Sequence, residues 1–126
     1  MCIRDSAWLL HGAKGIGKAT FAYRAARFLT AEGASDAANS LFGDAAPPQS
    51  LDASPDHRAV RLIIAGSHPD LFTLEASRKT PRGPGTIAVD DVRGLIDSTH
   101  LTIADGSWRV VIIDATDNLN LSLIHI

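Results

Sequence analysis

The sequence predicts an α/β protein with a parallel sheet flanked by helices, and three observations support this. A short apolar run at residues 7–11 (AWLLH) leads directly into Gly12, and a β-branched run at residues 108–113 (WRVVII) ends in Asp114. Between these two runs, apolar residues recur at helical spacing. Strands that alternate with helices are typical of a parallel sheet. With 126 residues, of which 45% are hydrophobic and 21% charged, the chain has the size and composition of one globular domain.

The first strand is predicted at residues 7–11, because a short apolar run followed at once by Gly12 suits a buried parallel strand that leads into a tight loop. A helix is predicted to begin at Lys18 and to continue to about Ala31. Its apolar positions follow the spacing i, i+3, i+4 and i+7. They are Ala22, Ala25, Ala26 and Leu29.

Residues 32–55 are rich in Ala, Ser, Asp, Gly and Pro and show no sustained period, which predicts a long, mobile surface insertion. A short helix should follow, with Asp56 as its N-terminal cap and Gly66 at its C-terminal end. The apolar face of this helix is predicted to contain Ala59, Leu62 and Ile63.

The second half of the chain repeats the alternation. Residues 71–75 (LFTLE) predict a strand, residues 78–85 predict a turn, and Asp90 is placed to cap a helix that ends at about Leu101. The run at 108–113 is too apolar for a strand with one wet face, so it predicts a central parallel strand.

The two ends, residues 1–6 (MCIRDS) and 121–126 (LSLIHI), fit neither neighbouring pattern. We interpret them as non-native, so the predicted domain covers residues 7–120.

The net charge of −2 gives no field that would draw the chain as a whole to nucleic acid or lipid. A single cysteine, Cys2, allows no internal disulfide and no cysteine zinc cluster. No apolar run approaches the length of a membrane span, and a cytoplasmic location is expected.

The segment from Gly12 to Lys18 (GAKGIGK) fits the pattern G-x-x-x-x-G-K and lies between a predicted strand and a predicted helix. Glycines let the backbone of such a loop, here Gly12, Gly15, Ile16 and Gly17, turn its N–H groups toward phosphate oxygens. The helix N-terminus adds positive potential, and Lys18 can reach the β and γ phosphates. The alternative interpretation is a glycine turn that binds no ligand.

Two alanines weaken this nucleotide site. Ala19 stands where a Ser or Thr hydroxyl would hold Mg²⁺, and Thr20 points about 100° further around the helix. In active P-loop ATPases an apolar strand ends in an aspartate that contacts Mg²⁺ through water, as Asp114 could, and the next residue is a glutamate that activates the attacking water. Here that next residue is Ala115. A methyl group cannot accept a proton. The sequence therefore predicts weak ATP binding, little dependence on Mg²⁺, and slow or absent hydrolysis.

Four segments together resemble the delta prime family of bacterial DNA polymerase III clamp-loader subunits, which are AAA+ P-loop proteins. The resemblance spans most of residues 7–120. The segments are GAKGIGKATFAYRAARFL, SHPDLFTLE, IAVDDVRGLI and WRVVIIDATDNLN.

The resemblance implies a subunit of a hetero-pentameric ring with gamma/tau and delta subunits, which opens the sliding clamp and places it on primed DNA. Sister subunits would supply the ATP chemistry. Many relatives carry four zinc-binding cysteines after the first helix, yet residues 32–67 contain none, so no zinc is expected. The resemblance also implies that the AAA+ domain is incomplete at the C-terminus of this sequence.

Other functions remain open on the sequence alone. An active P-loop ATPase would need its metal and water contacts from other groups, and a small-molecule kinase lacks a visible arginine-rich lid. A basic turn formed by Arg78, Lys79 and Arg82 could contact DNA phosphates, although a solvated loop is commoner. His68 is expected to fix a turn with Pro69 rather than to bind a metal.

Overall fold

A computed structural model describes residues 7–39, 50–76, 85–104 and 108–116. The predicted ends at 1–6 and 121–126, and the basic turn of Arg78, Lys79 and Arg82, lie outside these residues. The elements, in chain order, are α1 (Lys18–Asn39), α2 (Arg58–Ile64), β1 (Leu71–Glu75), α3 (Val89–Thr99) and β2 (Val110–Asp114). The described part is thus an α/β arrangement, as predicted.

The sheet consists of β1 and β2, which pair in parallel. Leu71 is the register partner of Val110 at one end of the pair, and Glu75 is the partner of Asp114 at the other. The backbone N–H of Val110 donates to the carbonyl oxygen of Asp70 over 2.9 Å. The parallel pairing and the bounds of β1 agree with the sequence prediction.

The predicted first strand at residues 7–11 is wrong for this structure, because these residues form no strand within the described part of the chain. Trp8 is 77% exposed and Leu9 82% exposed. A strand exists only where a neighbouring strand accepts and donates its backbone hydrogen bonds. None of the described segments supplies these bonds to residues 7–11, so their apolar character alone does not produce a strand.

The strand β2 starts at Val110, two residues later than predicted, and it is not buried on both faces. Ile112 is buried, whereas Val111 and Ile113 on the opposite face are 38% and 39% exposed. A two-stranded sheet has no central strand. The prediction of a doubly covered strand therefore fails for the described residues.

Helix α1 begins at Lys18, as predicted, but extends to Asn39 rather than ending near Ala31. The first part of the predicted insertion, residues 32–39, is thus helical. Alanine is frequent in this stretch and has the highest helix propensity of all residues, which explains how a segment without apolar periodicity continues the helix. Beyond the helix, Asp52 forms an exposed ion pair of 2.6 Å with Arg24 of α1.

Helix α2 is capped by His57, not by Asp56 as predicted. The Nδ1 atom of His57 accepts a hydrogen bond from the backbone N–H of Ala59 over 3.2 Å. At the other end Gly66 has a φ of +69°, as the sequence predicts. The N–H groups of Gly66 and Ser67 donate to carbonyl oxygens of the last helical turn, which is the Schellman arrangement.

Helix α3 also starts one position before its predicted cap. Ala88 occupies the N-cap position without a side-chain hydrogen bond, and Asp90 lies inside the first turn. There, Asp90 pairs with Arg93 over 3.3 Å. A negative charge in the first helical turn is favourable, so Asp90 supports the helix by its charge rather than by capping.

The core lies between α1, α2 and the sheet. Helix α1 packs on α2 and on β2, and α3 packs on β1. The buried apolar residues are Ala26, Ala31, Ala59, Val60, Ile63, Ile87 and Ile112, and the buried polar residues are Thr30, His68 and Asp70.

Candidate functional site

The glycine loop turns sharply before α1. Gly15 has a φ of +85° and Gly17 a φ of +97°, conformations that residues with a side chain rarely adopt. The carbonyl oxygen of Gly17 accepts the first helical hydrogen bond, from the N–H of Phe21 over 2.9 Å. The glycines therefore let the chain reverse and enter the helix at Lys18.

Lys18 lies across this loop. Its ammonium group donates to the carbonyl oxygens of Gly12 and Ala13 over 2.8 and 2.9 Å. The loop thus has a positive charge at the start of α1, where the helix dipole is also positive. A phosphate group that binds here would compete with these two carbonyl oxygens for the ammonium group.

The surroundings of the loop fit a phosphate group. A Cβ atom added to Gly15 or Gly17 would meet no atom within 4 Å, so the space beside these two residues is open. The side chain of Ile16 is 70% exposed, and a Cβ atom at Gly12 would lie 3.5 Å from its Cγ2 atom. Open space, glycine backbone and a lysine are the components that a phosphate needs.

At position 19 the same loop offers no ligand to a magnesium ion. Ala19 is partly buried in the first turn of α1 and offers only a methyl group, while Thr20 is exposed. In the described part of the chain, no group of three or more His, Cys, Asp or Glu side chains could hold a metal ion. The loop residues thus fit a phosphate group better than they fit a magnesium ion.

Two carboxylates lie at the carboxyl ends of the parallel strands. Asp114, a site residue predicted from the sequence, is the register partner of Glu75, which was not predicted. The hydroxyl of Tyr23 on α1 donates to Oε1 of Glu75 over 3.5 Å. The carboxyl ends of parallel strands are where α/β proteins bind ligands. Glu75 could have been recognised in the sequence as an acidic residue at the end of a predicted strand, just before a turn.

Helix α1 connects the glycine loop to the sheet. Helix α1 begins at the loop and packs on β2, whose last residue is Asp114. Among the described residues, no hydrogen bond or ion pair joins Lys18 to Asp114. The structure therefore brings together Gly12, Gly15, Ile16, Gly17, Lys18, Ala19 and Thr20, with Asp114 on a separate element.

His68 and Asp70 stabilise the turn before β1. The Nδ1 atom of His68 accepts from the N–H of Asp70 over 3.1 Å, and both residues are buried. This geometry agrees with a turn-fixing role for His68. The carboxylate of Asp70 accepts the N–H of Ala104 and lies 3.5 Å from a guanidinium nitrogen of Arg109. This buried ion pair was not predicted from the sequence.

None of the helices in the described residues is long and apolar enough to cross a membrane.

The arrangement as a whole defines a class: an α/β protein with a parallel sheet flanked by helices and a glycine-rich loop at the start of its first helix. Comparison with protein families makes the class specific. A model of the family described as "DNA polymerase III, delta subunit" matches residues 4–123, and the chain belongs to this family.

The chain is also similar to a curated relative, the DNA polymerase III subunit delta' of Pseudomonas aeruginosa. The two are 29% identical over 116 residues, which is 92% of this chain and 30% of the relative. The chain thus spans about a third of the length of that relative. The resemblance found in the sequence is confirmed at the level of the family.

Proposed function

We propose that this chain is part of a delta prime-type clamp-loader subunit, which supports the loading of the sliding clamp in DNA replication. The family match over residues 4–123 carries this proposal. Its partners would be the gamma/tau and delta subunits in a hetero-pentameric ring, and through them the sliding clamp and primed DNA. The name of the Pseudomonas relative supports the same assembly.

The proposal includes a degenerate ATP site. The backbone around Gly15 and Gly17, together with Lys18, would hold the phosphates of a nucleotide. When bound, Mg²⁺ would stabilise the charge on the phosphoryl oxygens. Ala19 offers no hydroxyl to that ion. Ala115 offers no group that could accept a proton from an attacking water.

In this role the subunit serves as a structural member of the ring, and nucleotide chemistry takes place in its partners. General base catalysis alone contributes about 10²–10⁴ in rate, so a site without a base hydrolyses ATP slowly if at all. A weakly bound nucleotide would then contribute to the structure of the subunit and would not supply energy by hydrolysis. Such a protein is expected in the cytoplasm, where the replication machinery works.

The alternative is an active P-loop ATPase of the AAA+ class. Glu75 and Asp114 favour it, because they place two carboxylates side by side at the strand ends. One of them would have to replace the missing water-activating group. Glu75 also accepts from Tyr23, which would keep its carboxylate on the α1 side of the sheet.

Reconstitution tests the clamp-loader role. The intact subunit is mixed with gamma/tau and delta subunits, and clamp loading onto primed DNA is measured with and without it. Loading that requires the subunit supports the proposal, and loading that proceeds equally well without it refutes the clamp-loader role.

Turnover by the isolated intact subunit separates the two functions. The proposal expects no ATP hydrolysis above background, in the unchanged protein or in Lys18→Ala. Hydrolysis that disappears with Lys18→Ala but survives Lys14→Ala would favour the ATPase. Lys14 is a matched control, since it is an exposed lysine of the same loop.

A further inference from the structure

Helix α3 is weakly packed along its length. It contains Val92, Leu95 and Ile96 at the spacing of an apolar face, yet none of its residues is fully buried. Ile96 is 43% exposed. Most helices in proteins owe their stability to an apolar face that packs on a core. In the described residues, α3 has this support only in part.

The N-terminal end of α3 is nevertheless fixed by apolar packing. Ile87, two residues before the helix, is only 1% exposed and is among the most deeply buried side chains. Ile87 lies in a short segment of β-bridge residues, 86–87, which leads into the helix. The chain is therefore anchored just before Val89, where α3 begins.

The C-terminal end is fixed in a different way, by a charge from another element. The guanidinium group of Arg109, just before β2, donates to the carbonyl oxygens of Thr99 and Leu101 over 2.7 and 2.8 Å. The last carbonyl groups of a helix have no partners within the helix. A cation at this end also interacts favourably with the helix dipole. The helix itself has no basic residue in its last turn.

Asp70 holds Arg109 in this position. The carboxylate of Asp70 is 1% exposed and lies 3.5 Å from Nη2 of Arg109, whose side chain is 14% exposed. The same carboxylate accepts the N–H of Ala104, in the connection between α3 and β2. The guanidinium group also lies over the ring of Phe72 in β1, 5.9 Å from its centre. Sheet, connection and helix end thus meet at one buried ion pair.

The interior of α3 contains a weak point. Gly94 lies in the middle of the helix, and a Cβ atom there would meet nothing within 4 Å. Glycine inside a helix is unfavourable because the unfolded chain has more conformational freedom to lose. No close contact requires glycine at this position.

From these contacts we infer that α3 is a latched helix, whose C-terminal half is ordered by the Asp70–Arg109 pair and opens when that latch is released. Ile87 keeps the N-terminal end in place, so opening starts at Thr99 and Leu101 and progresses toward Gly94. The device lets the helix open while the β1–β2 sheet stays folded. This inference stands on contacts of α3 and does not depend on the proposed function.

Hydrogen exchange on the intact protein tests the latch. Arg109→Gln removes the charge and the forked donor, so the amides of residues 95–101 should exchange about tenfold faster, the expected effect of losing charge-assisted hydrogen bonds. Arg109→Gln also leaves the buried Asp70 carboxylate without its partner and so lowers global stability. Amides in α1 and β1 should nevertheless accelerate clearly less than those of residues 95–101, because the added opening is local. Arg93→Gln is the matched control, since it removes an exposed ion pair of the same helix.

A second substitution tests the same inference in an otherwise unchanged protein. Gly94→Ala strengthens the helix without touching the latch, so it should slow exchange of residues 95–101 by severalfold and recover part of the protection lost in Arg109→Gln. Equal acceleration in all elements of Arg109→Gln, or an effect of Arg93→Gln as large as that of Arg109→Gln, would overturn the latch. Unchanged exchange of residues 95–101 in Gly94→Ala would overturn it too, even if Arg109→Gln failed to fold.

Discussion

The ammonium group of Lys18 lies 2.8 Å from the carbonyl oxygen of Gly12, so the last residue of the glycine loop is bonded to the first. A second bond, to the carbonyl of Ala13, closes the loop further. Lys18 thus holds the two ends of the loop together, and its charged ammonium group could also bind a phosphate. Binding of a phosphate exchanges two neutral acceptors for a charged one, and bonds to charged groups are stronger.

The first prediction concerns this lysine. Lys18→Ala should weaken ATP binding to the intact protein at least tenfold, because a charge-assisted bond to phosphate is worth about 1.5–3 kcal/mol. Titration calorimetry at several nucleotide concentrations measures the affinity. Lys14→Ala, in the same loop, should leave the affinity within about twofold, since the side chain of Lys14 is exposed. Equal losses in both variants would mean that only the net charge matters.

The second prediction concerns magnesium. Ala19→Ser restores the hydroxyl at the position that the G-x-x-x-x-G-K pattern assigns to a metal contact, so it should strengthen ATP binding in the presence of Mg²⁺ and not in its absence. Hydrolysis should stay slow, because Ala115 is unchanged and supplies no base. Calorimetry with Mg²⁺ and with a chelator, together with a phosphate-release assay, measures both effects.

Thr20→Ala is the control for that experiment. Thr20 is exposed one residue further along α1, and its removal should not change the magnesium dependence. Tight, magnesium-dependent ATP binding by the unmodified protein that Thr20→Ala abolishes would show that the neighbouring hydroxyl takes the metal position.

The elements that follow from local signals could be predicted from the sequence. The strand at Leu71–Glu75, the start of α1 at Lys18 and the left-handed Gly66 all depend on residues close in the chain. Residues 7–11 were mistaken for a strand because strand formation depends on a partner that the run itself does not reveal. The exposure of Val111 has the same cause, since burial depends on what covers the sheet.

The site shows the same division. The positive φ angles of the loop follow from the glycines themselves, and the sequence identified these residues directly. The pairing of Glu75 with Asp114 depends on strand register, which joins residues far apart in the chain. The ion pair of Asp70 and Arg109 likewise joins the start of one strand to the approach of another. Neither residue type nor spacing indicates such a contact.

The third prediction compares two ion pairs that differ in burial. Asp70→Asn should lower the free energy of unfolding by about 3–5 kcal/mol, because it leaves the charge of Arg109 in a buried position without its carboxylate. Asp52→Asn removes the exposed partner of Arg24 and should cost only about 0–1 kcal/mol. Both side chains of that second pair are more than half exposed, at 55% and 71%.

Urea denaturation of the intact protein, followed by circular dichroism, measures both variants. The Arg109→Lys variant adds a test of the forked geometry, since lysine keeps the charge but offers a single ammonium group. Similar costs for Asp70→Asn and Asp52→Asn would mean that the buried pair contributes no more than a surface pair.

The fourth prediction compares two glycines, Gly66 and Gly94, that have equally open surroundings but different backbone conformations. A Cβ atom at Gly66 or at Gly94 would meet nothing within 4 Å, so alanine fits at both positions without a clash. Gly66 has a φ of +69°, where a side chain costs roughly 1–2 kcal/mol, partly offset by the lower entropy of the unfolded chain. Gly66→Ala should therefore destabilise the protein by about 1 kcal/mol. Gly94 is helical, and Gly94→Ala should stabilise it by about 0.5–1 kcal/mol.

The shift of the urea midpoint measures each change, provided that the slope of the transition is unchanged. Since neither alanine makes a contact, the opposite signs must come from the backbone conformation alone. Gly66→Asn refines the test, because asparagine tolerates the left-handed region better than alanine and should recover part of the loss. Shifts of the same sign at both glycines would show that the C-terminal turn of α2 does not depend on the left-handed conformation of Gly66.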